Sequence, residues 1–248
     1  MRGPVEKYLL QEIEDKGCIH LALVDPEKTA PLECARMAQS AVEGGSSAVM
    51  VGGSTLGSQI QLETAISEIK KRVKVPIILF PNGPMGVTAK ADAVWFMSLL
   101  NSDNPYYFIE AQMLAAPYIK RAGLEAIPMG YIIAGEGCVA GYVGHARPIS
   151  FKHPQLAVGY GLAAEALGMR FLYLEAGSGA PQPIPPEMVR MVSKSIGIPL
   201  IVGGGIRTPE AAREASEAGA SIIVTGTLVE DGGEVRSRVA EIVAAAKR

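Results

Sequence analysis

Short apolar runs recur along the whole chain, at Cys18–Val24, Ser47–Val51, Pro76–Phe80, Ala93–Leu99, Ala126–Ile133, Phe171–Glu175, Pro199–Val202 and Ser221–Val224. Most are near-continuous Val, Ile and Leu instead of alternating with polar residues. That is the pattern of parallel strands covered on both faces. The stretches between them read as helices, with proline-led starts such as Pro31-Leu32-Glu33 and Thr208-Pro209-Glu210. Eight such units, without a linker or a low-complexity tract, predict one α/β domain over residues 1–248, a (β/α)8 TIM-type barrel.

One unit breaks the pattern. Between the third and fourth runs lie only twelve residues, Pro81 to Asp92, including two prolines and two glycines. That is too short and too broken for a full crossover helix. The gap is either a local deletion covered by neighbouring side chains or a groove through which a long ligand leaves the barrel.

Candidate chemistry gathers at the strand ends. Three late runs close in glycine: Tyr173-Leu174-Glu175-Ala176-Gly177-Ser178-Gly179, then Gly203-Gly204-Gly205-Ile206-Arg207, then Thr225-Gly226-Thr227. Glycine lets backbone N–H groups approach phosphate oxygens, and a helix start behind them adds partial positive charge. In eight-stranded barrels a phosphate site is often built from the last βα loops. Strand alternation puts Phe171, Tyr173 and Glu175 on the inner face and Leu172 and Leu174 on the outer one. An inward glutamate is either paired with a buried cation or serves as a base beside the hydroxyl of a phosphorylated substrate, with Tyr173 hydrogen-bonding that substrate.

The first strand runs into Val24-Asp25-Pro26-Glu27-Lys28, and Asp25 shares a face with Leu21 and Leu23. Asp25 reads as a turn residue or as a Mg²⁺ ligand on the rim, and Ser54, after Gly52-Gly53, as a helix cap, a completing ligand, or both. Lys28 reads equally well as a diphosphate contact or a solvated lysine. His20 reads as an outward strand residue, and His145 and His153 as loop residues.

Charge excludes some partners. The chain carries 23 basic and 25 acidic residues without a basic block, which argues against nucleic acid. Cys18, Cys34 and Cys138 form no C-x-x-C pair, which suits a reducing cytosol rather than a disulfide or zinc framework. No apolar run approaches the roughly 20 residues of a membrane span, and the start lacks the apolar core of a signal peptide. A cytoplasmic protein is expected.

Together, the segments at Leu23–Lys28, Val51–Ser54, Tyr173–Gly179, Val202–Arg207 and Val224–Thr227 resemble geranylgeranylglyceryl phosphate synthase over the whole chain. Tyr-Leu-Glu-Ala-Gly-Ser-Gly is the most specific of them, whereas a triple glycine is shared by many phosphate-binding barrels. The resemblance implies a modified barrel whose third helix is replaced by a strand or loop. It implies a Mg²⁺-dependent prenyltransferase that joins the C3 hydroxyl of sn-glycerol 1-phosphate to geranylgeranyl diphosphate, the first ether bond of archaeal membrane lipids. Carried over, Asp25 and Ser54 match the Mg²⁺ positions. Tyr173, Leu174, Glu175, Ala176, Gly177, Ser178, Gly179, Gly204, Gly205, Gly226 and Thr227 match the glycerol phosphate site. Glu175 then acts as the base and Asp25 as the second catalytic residue.

The prenyl tail needs an apolar trough, for which strand four and the helix after it offer Trp95, Tyr106 and Tyr107, with Met97, Phe108 and Met113 nearby. Members of the family form dimers or hexamers, so a homo-oligomer is expected. Three rival readings remain: a heptaprenylglyceryl phosphate synthase using a longer donor; a phosphosugar isomerase or lyase, which would need a second acid–base group facing Glu175 and no metal; and a barrel that holds phosphate without catalysis, against which Asp25 and Glu175 together weigh. Tail length, oligomeric state and transient docking of the mouth on a membrane stay open.

Overall fold

The computed structural model describes residues 2–53, 57–226 and 234–248. Eight parallel strands close into a barrel in sequence order: β1 Ile19–Val24, β2 Ala48–Val51, β3 Ile77–Leu79, β4 Ala93–Leu99, β5 Glu125–Ile133, β6 Phe171–Glu175, β7 Leu200–Gly203 and β8 Ile222–Thr225, with β8 pairing back onto β1. Each strand falls on a predicted run, shifted by at most one residue at either end. The continuous apolar pattern reflects burial on both sides. Side chains such as Leu21, Met50, Trp95, Met129, Phe171 and Ile222 fill the interior. Their neighbours, Ala22, Val49, Val94, Leu172 and Ile223, pack under the helices.

A leading helix α1, Pro4–Lys16, lays Val5 and Leu9 against the interior cluster and so closes the N-terminal end of the barrel. Its first backbone amides, at Val5 and Glu6, donate to the Glu125 carboxylate at 2.8 and 2.9 Å. That carboxylate satisfies orphan donors and sits where the helix dipole favours negative charge. The outer ring holds α2 Pro31–Glu43, α3 Gln59–Lys70, α4 Ala111–Ala122, α5 Val139–Val143, α6 Pro154–Ala166, α7 Pro186–Ser195 and α8 Pro209–Glu217, and a last helix, Val235–Ala246. The expected starts hold: proline opens α2 and α8, and the Thr208 hydroxyl accepts from Ala211 N–H at 3.3 Å.

Among the described residues, one ring position lacks an α-helix. After β3 the chain makes a single 3₁₀ turn, Pro84–Gly86, before β4 begins. β3 is also the shortest strand and pairs with β4 only at Ile78↔Ala93 and Leu79↔Val94. The upper part of β4 therefore extends past its neighbour. Among the described residues no helix is long and apolar enough to cross a membrane.

Candidate functional site

A single cavity runs from the C-terminal mouth of the barrel over the short β3–β4 flank. Inside the mouth it meets Asp25, Gly53, Tyr173, Glu175, Ser178, Gly179, Gly204, Gly205 and Gly226. Beyond the flank it meets the apolar side chains Phe80, Val87, Val94, Phe96, Ala115 and Ile119. The polar half and the apolar half are continuous.

Glu175 ends β6 and points inward, as alternation requires; it is 7% exposed. The Gly177 amide donates to its Oε1 at 2.6 Å, and the Tyr173 hydroxyl faces the same carboxylate. Burial pushes the Glu175 carboxyl above its ordinary range, with the Tyr173 hydroxyl and the Gly177 amide opposing that shift. Among the described residues no lysine or arginine pairs with it. The buried-ion-pair alternative thus has no partner there.

Tyr173 is held by aromatic packing. Phe80 stacks on it at 5.7 Å between ring centroids, and Tyr131 meets it edge-on at 5.2 Å. Burial, then the Glu175 charge, pushes both tyrosine hydroxyls well above their usual range, so they stay protonated and can donate. Gly204 closes this corner from β7. Its φ is +82°, and a Cβ there would lie 2.5 Å from Glu175 Oε1 and 2.5 Å from Gly177 N. Only glycine combines that backbone with that proximity. Gly177, Gly179 and Gly205 also have positive φ, so the loops after β6 and β7 turn backbone amides toward one mouth.

Asp25 directly follows β1 and is 5% exposed. Glu27 N–H donates to Oδ1 at 3.0 Å, and Lys28 Nζ lies 3.7 Å from Oδ2. A Cβ on Gly53 would fall 2.4 Å from Oδ2, so the bare glycine keeps the space beside the carboxylate open. No group of three His, Cys, Asp or Glu that could hold a metal occurs among the described residues. One carboxylate does not make an all-protein cage, but it fits Mg²⁺ carried in by a diphosphate, since that ion is commonly held by one or two carboxylates plus substrate phosphates. Ser54 and Thr227, expected at the metal and phosphate positions, lie outside the described residues.

The tail assignments sort differently from expectation. Trp95 is fully buried on the inner face of β4, edge-on to Phe171 at 5.1 Å, so it borders the cavity from the barrel interior. The outward neighbours Val94 and Phe96 line the trough instead, because alternation sends them to the side where the helix is missing. Tyr107 lines the cavity, whereas Tyr106 packs edge-on against it at 5.0 Å. Phe108 and Met113 are exposed, which corrects their place in the expected lining. The turn carrying these rings, Tyr106–Glu110, is π-helical and precedes α4.

Sequence reasoning missed Tyr131, Phe80, Ala115 and Ile119. Tyr131 was legible, since it alternates with Ile133 on the inner face of β5. The others depend on how α4 crosses the gap. His20 points outward, yet it is fully buried and bonds Ser46 Oγ at 2.8 Å and Thr225 Oγ1 at 2.9 Å. Burial pushes it down to about 4, so it stays neutral while it braces the end of β8. His145 lies in a loop with φ 51° and stacks on Tyr107 at 6.1 Å, and His153 precedes α6.

The fold and the site define a TIM barrel with a glycine-lined mouth and an apolar side exit. A profile of the PcrB family matches residues 10–246. The geranylgeranylglyceryl phosphate synthase of Thermofilum pendens is 49% identical over 247 residues, covering 100% of this chain and 96% of its own. That of Methanopyrus kandleri is 53% identical over 232 residues, covering 93% and 96%. The crystal structure of (S)-3-O-geranylgeranylglyceryl phosphate synthase from Thermoplasma acidophilum, in complex with its substrate sn-glycerol-1-phosphate, superposes with a TM-score of 0.95. It is 40% identical and covers 100% of this chain and 99% of its own. The chain belongs to the PcrB family, that of the geranylgeranylglyceryl phosphate synthases. A thiamine phosphate pyrophosphorylase from Pyrococcus furiosus, 17% identical with a TM-score of 0.61, covering 92% of this chain and 95% of its own, shares the barrel alone.

Proposed function

We propose that this prenyltransferase joins the C3 hydroxyl of sn-glycerol 1-phosphate to geranylgeranyl diphosphate, releasing diphosphate. The observation that carries this reading is the two-part cavity: glycine loops and one buried base at one end, and an apolar trough at the other. The substrate in the Thermoplasma acidophilum complex supports the head-group half.

Chemically, the allylic C–O bond of the donor breaks while positive charge spreads over three carbons, and the glycerol oxygen forms the new ether bond. The backbone amides of the loops after β6, β7 and β8 hold the glycerol phosphate, which fixes its hydroxyl against the reacting carbon. Tyr173 holds the Glu175 carboxylate in place. Glu175 takes the hydroxyl proton late, when the attacking oxygen has become acidic; its raised proton affinity brings it nearer the working pH. Asp25, with Ser54, would hold Mg²⁺, which when bound neutralises the departing diphosphate. Lys28 and Arg207 on the rim add positive charge near that anion. The tail, about twenty carbons long, leaves over the β3–β4 flank, where each buried methylene is worth about 0.8 kcal/mol.

Incubation with labelled sn-glycerol 1-phosphate, Mg²⁺ and prenyl diphosphates from C10 to C35 tests this reading. Label should pass into the organic phase, with the C20 donor preferred. Transfer at full rate in EDTA would remove the metal from the scheme, and absence of transfer from every donor would remove the reaction.

A further inference from the structure

Gln112 opens the first turn of α4 and is only 8% exposed, inside an otherwise apolar trough. Its Nε2 donates to two carbonyl oxygens: that of Met97, in the part of β4 that runs past β3, and that of Tyr107, at 3.3 Å. Both partners accept only, so the amide nitrogen must face them and Oε1 must face away. Oε1 is buried and has no hydrogen-bond partner among the described residues. An acceptor stranded in this way is unfavourable, and a leucine of similar size would avoid it. The residue is explained by what its two donors tie together.

They tie the π-helical turn to the strand. Single π turns recur at functional sites because they displace a side chain from where an α-helix would put it. Tyr107 lies in this turn, and its ring borders the trough. The start of the turn is held separately, by Asn104 Oδ1 accepting from Tyr106 N–H at 3.0 Å and Asn104 O accepting from Tyr107 N–H at 3.1 Å. Gln112 supplies the side-chain hold on the Tyr107 carbonyl.

We propose that Gln112 is a positioning residue for donor length: by clamping this turn onto β4 it holds the Tyr107 ring across the trough. The proposal rests on the prenyl-transfer reading of the same cavity. Gln112→Leu keeps the bulk and removes both donors, and Gln112→Asn keeps the amide but shortens its reach. In Gln112→Leu the ratio of kcat/KM for C25 over C20 diphosphate should rise about tenfold, while KM for glycerol 1-phosphate, bound at the other end of the cavity, stays within about twofold of wild type. Gln112→Asn should show a smaller rise. Adding Gln112→Leu to Tyr107→Ala should move the ratio no further, because both act on one ring.

Equal loss of kcat/KM for all donors, an unchanged C25/C20 ratio, or loss of the fold in both variants would overturn the proposal and leave Gln112 a stability residue. A wild-type enzyme inert towards every prenyl diphosphate is a different result. It overturns the transfer reading, and this inference falls with it.

Discussion

The two halves of the mouth solve opposite problems with the same barrel. On the β6–β8 side, recognition depends on close approach: at Gly204 a single methyl group would strike both Glu175 and the Gly177 amide. On the β3–β4 side, recognition depends on something left out. A missing helix and a three-residue strand expose the outer face of β4, which Val94, Phe96, Ala115 and Ile119 turn into an apolar wall. Under the proposed function the polar half is intolerant of added atoms, because backbone amides do the binding there. The apolar half is more tolerant, since it meets the tail through apolar side chains and the hydrophobic effect has no preferred direction. Substitutions in the first half should therefore change rate and head-group binding, and those in the second should change only which tail is accepted.

The largest effect should come from Glu175. Glu175→Gln keeps the shape but removes the base, so kcat should fall by roughly 10²–10⁴. The folded-state carboxyl is shifted up, so burying its charge costs stability once pH rises above the unfolded value of 4.5. The glutamine variant should therefore melt at the same or a higher temperature at neutral pH. In the wild type the acid limb of kcat/KM should lie above 4.5, and the variant should lack it. A Glu175→Gln protein that does not fold would revive a structural role.

Asp25→Asn comes next. Turnover should drop at least ~100-fold while glycerol phosphate still binds, because only the leaving-group site loses charge. Calorimetry with glycerol phosphate separates this from a general collapse of the mouth. Gly204→Ala should be smaller: forcing a Cβ into a φ of +82° costs on the order of 1–3 kcal/mol. That strain should appear as a raised KM for glycerol phosphate with an unchanged order of donors. If the donor order moves too, the two halves are not separable.

Smallest of all on a C20 donor should be Tyr107→Ala, within a few-fold in kcat, yet it should improve longer donors by up to about 0.8 kcal/mol per newly buried methylene. Tyr106→Ala should shift the preference less, since Tyr107 borders the cavity and Tyr106 packs edge-on behind it. No shift in either variant would move the length stop elsewhere.

Much of this division was legible in the sequence, for unequal reasons. The eight strands were visible because continuous Val, Ile and Leu can only mean burial on both faces. The inward Glu175 followed from counting by two along Phe171–Glu175. The gap after β3 was visible as two prolines and two glycines in a twelve-residue connection. Which side chains line the trough was legible only in part: Met97 and Tyr107 were expected there and line the cavity, whereas Val94, Phe96, Ala115 and Ile119 were not expected. Trp95 and Phe96 are adjacent and both bulky, and only the closed barrel shows that the first looks inward and the second outward. Ala115 and Ile119 line the trough through the crossing of α4, which depends on long-range packing. Gln112 gave no signal, since a polar residue at the start of a helix is ordinarily solvated.

The central claim, head group on the glycine loops and tail over the outside of β4, is tested most directly by a crystal structure with sn-glycerol 1-phosphate and a non-hydrolysable geranylgeranyl diphosphate analogue. The expected complex has the glycerol phosphate on the amides of Gly177–Gly179, Gly204–Gly205 and Gly226, and the chain crossing the β3–β4 flank past Val94 and Phe96. A chain running down the barrel interior beside Trp95, or a phosphate bound away from the β6–β8 loops, would contradict it.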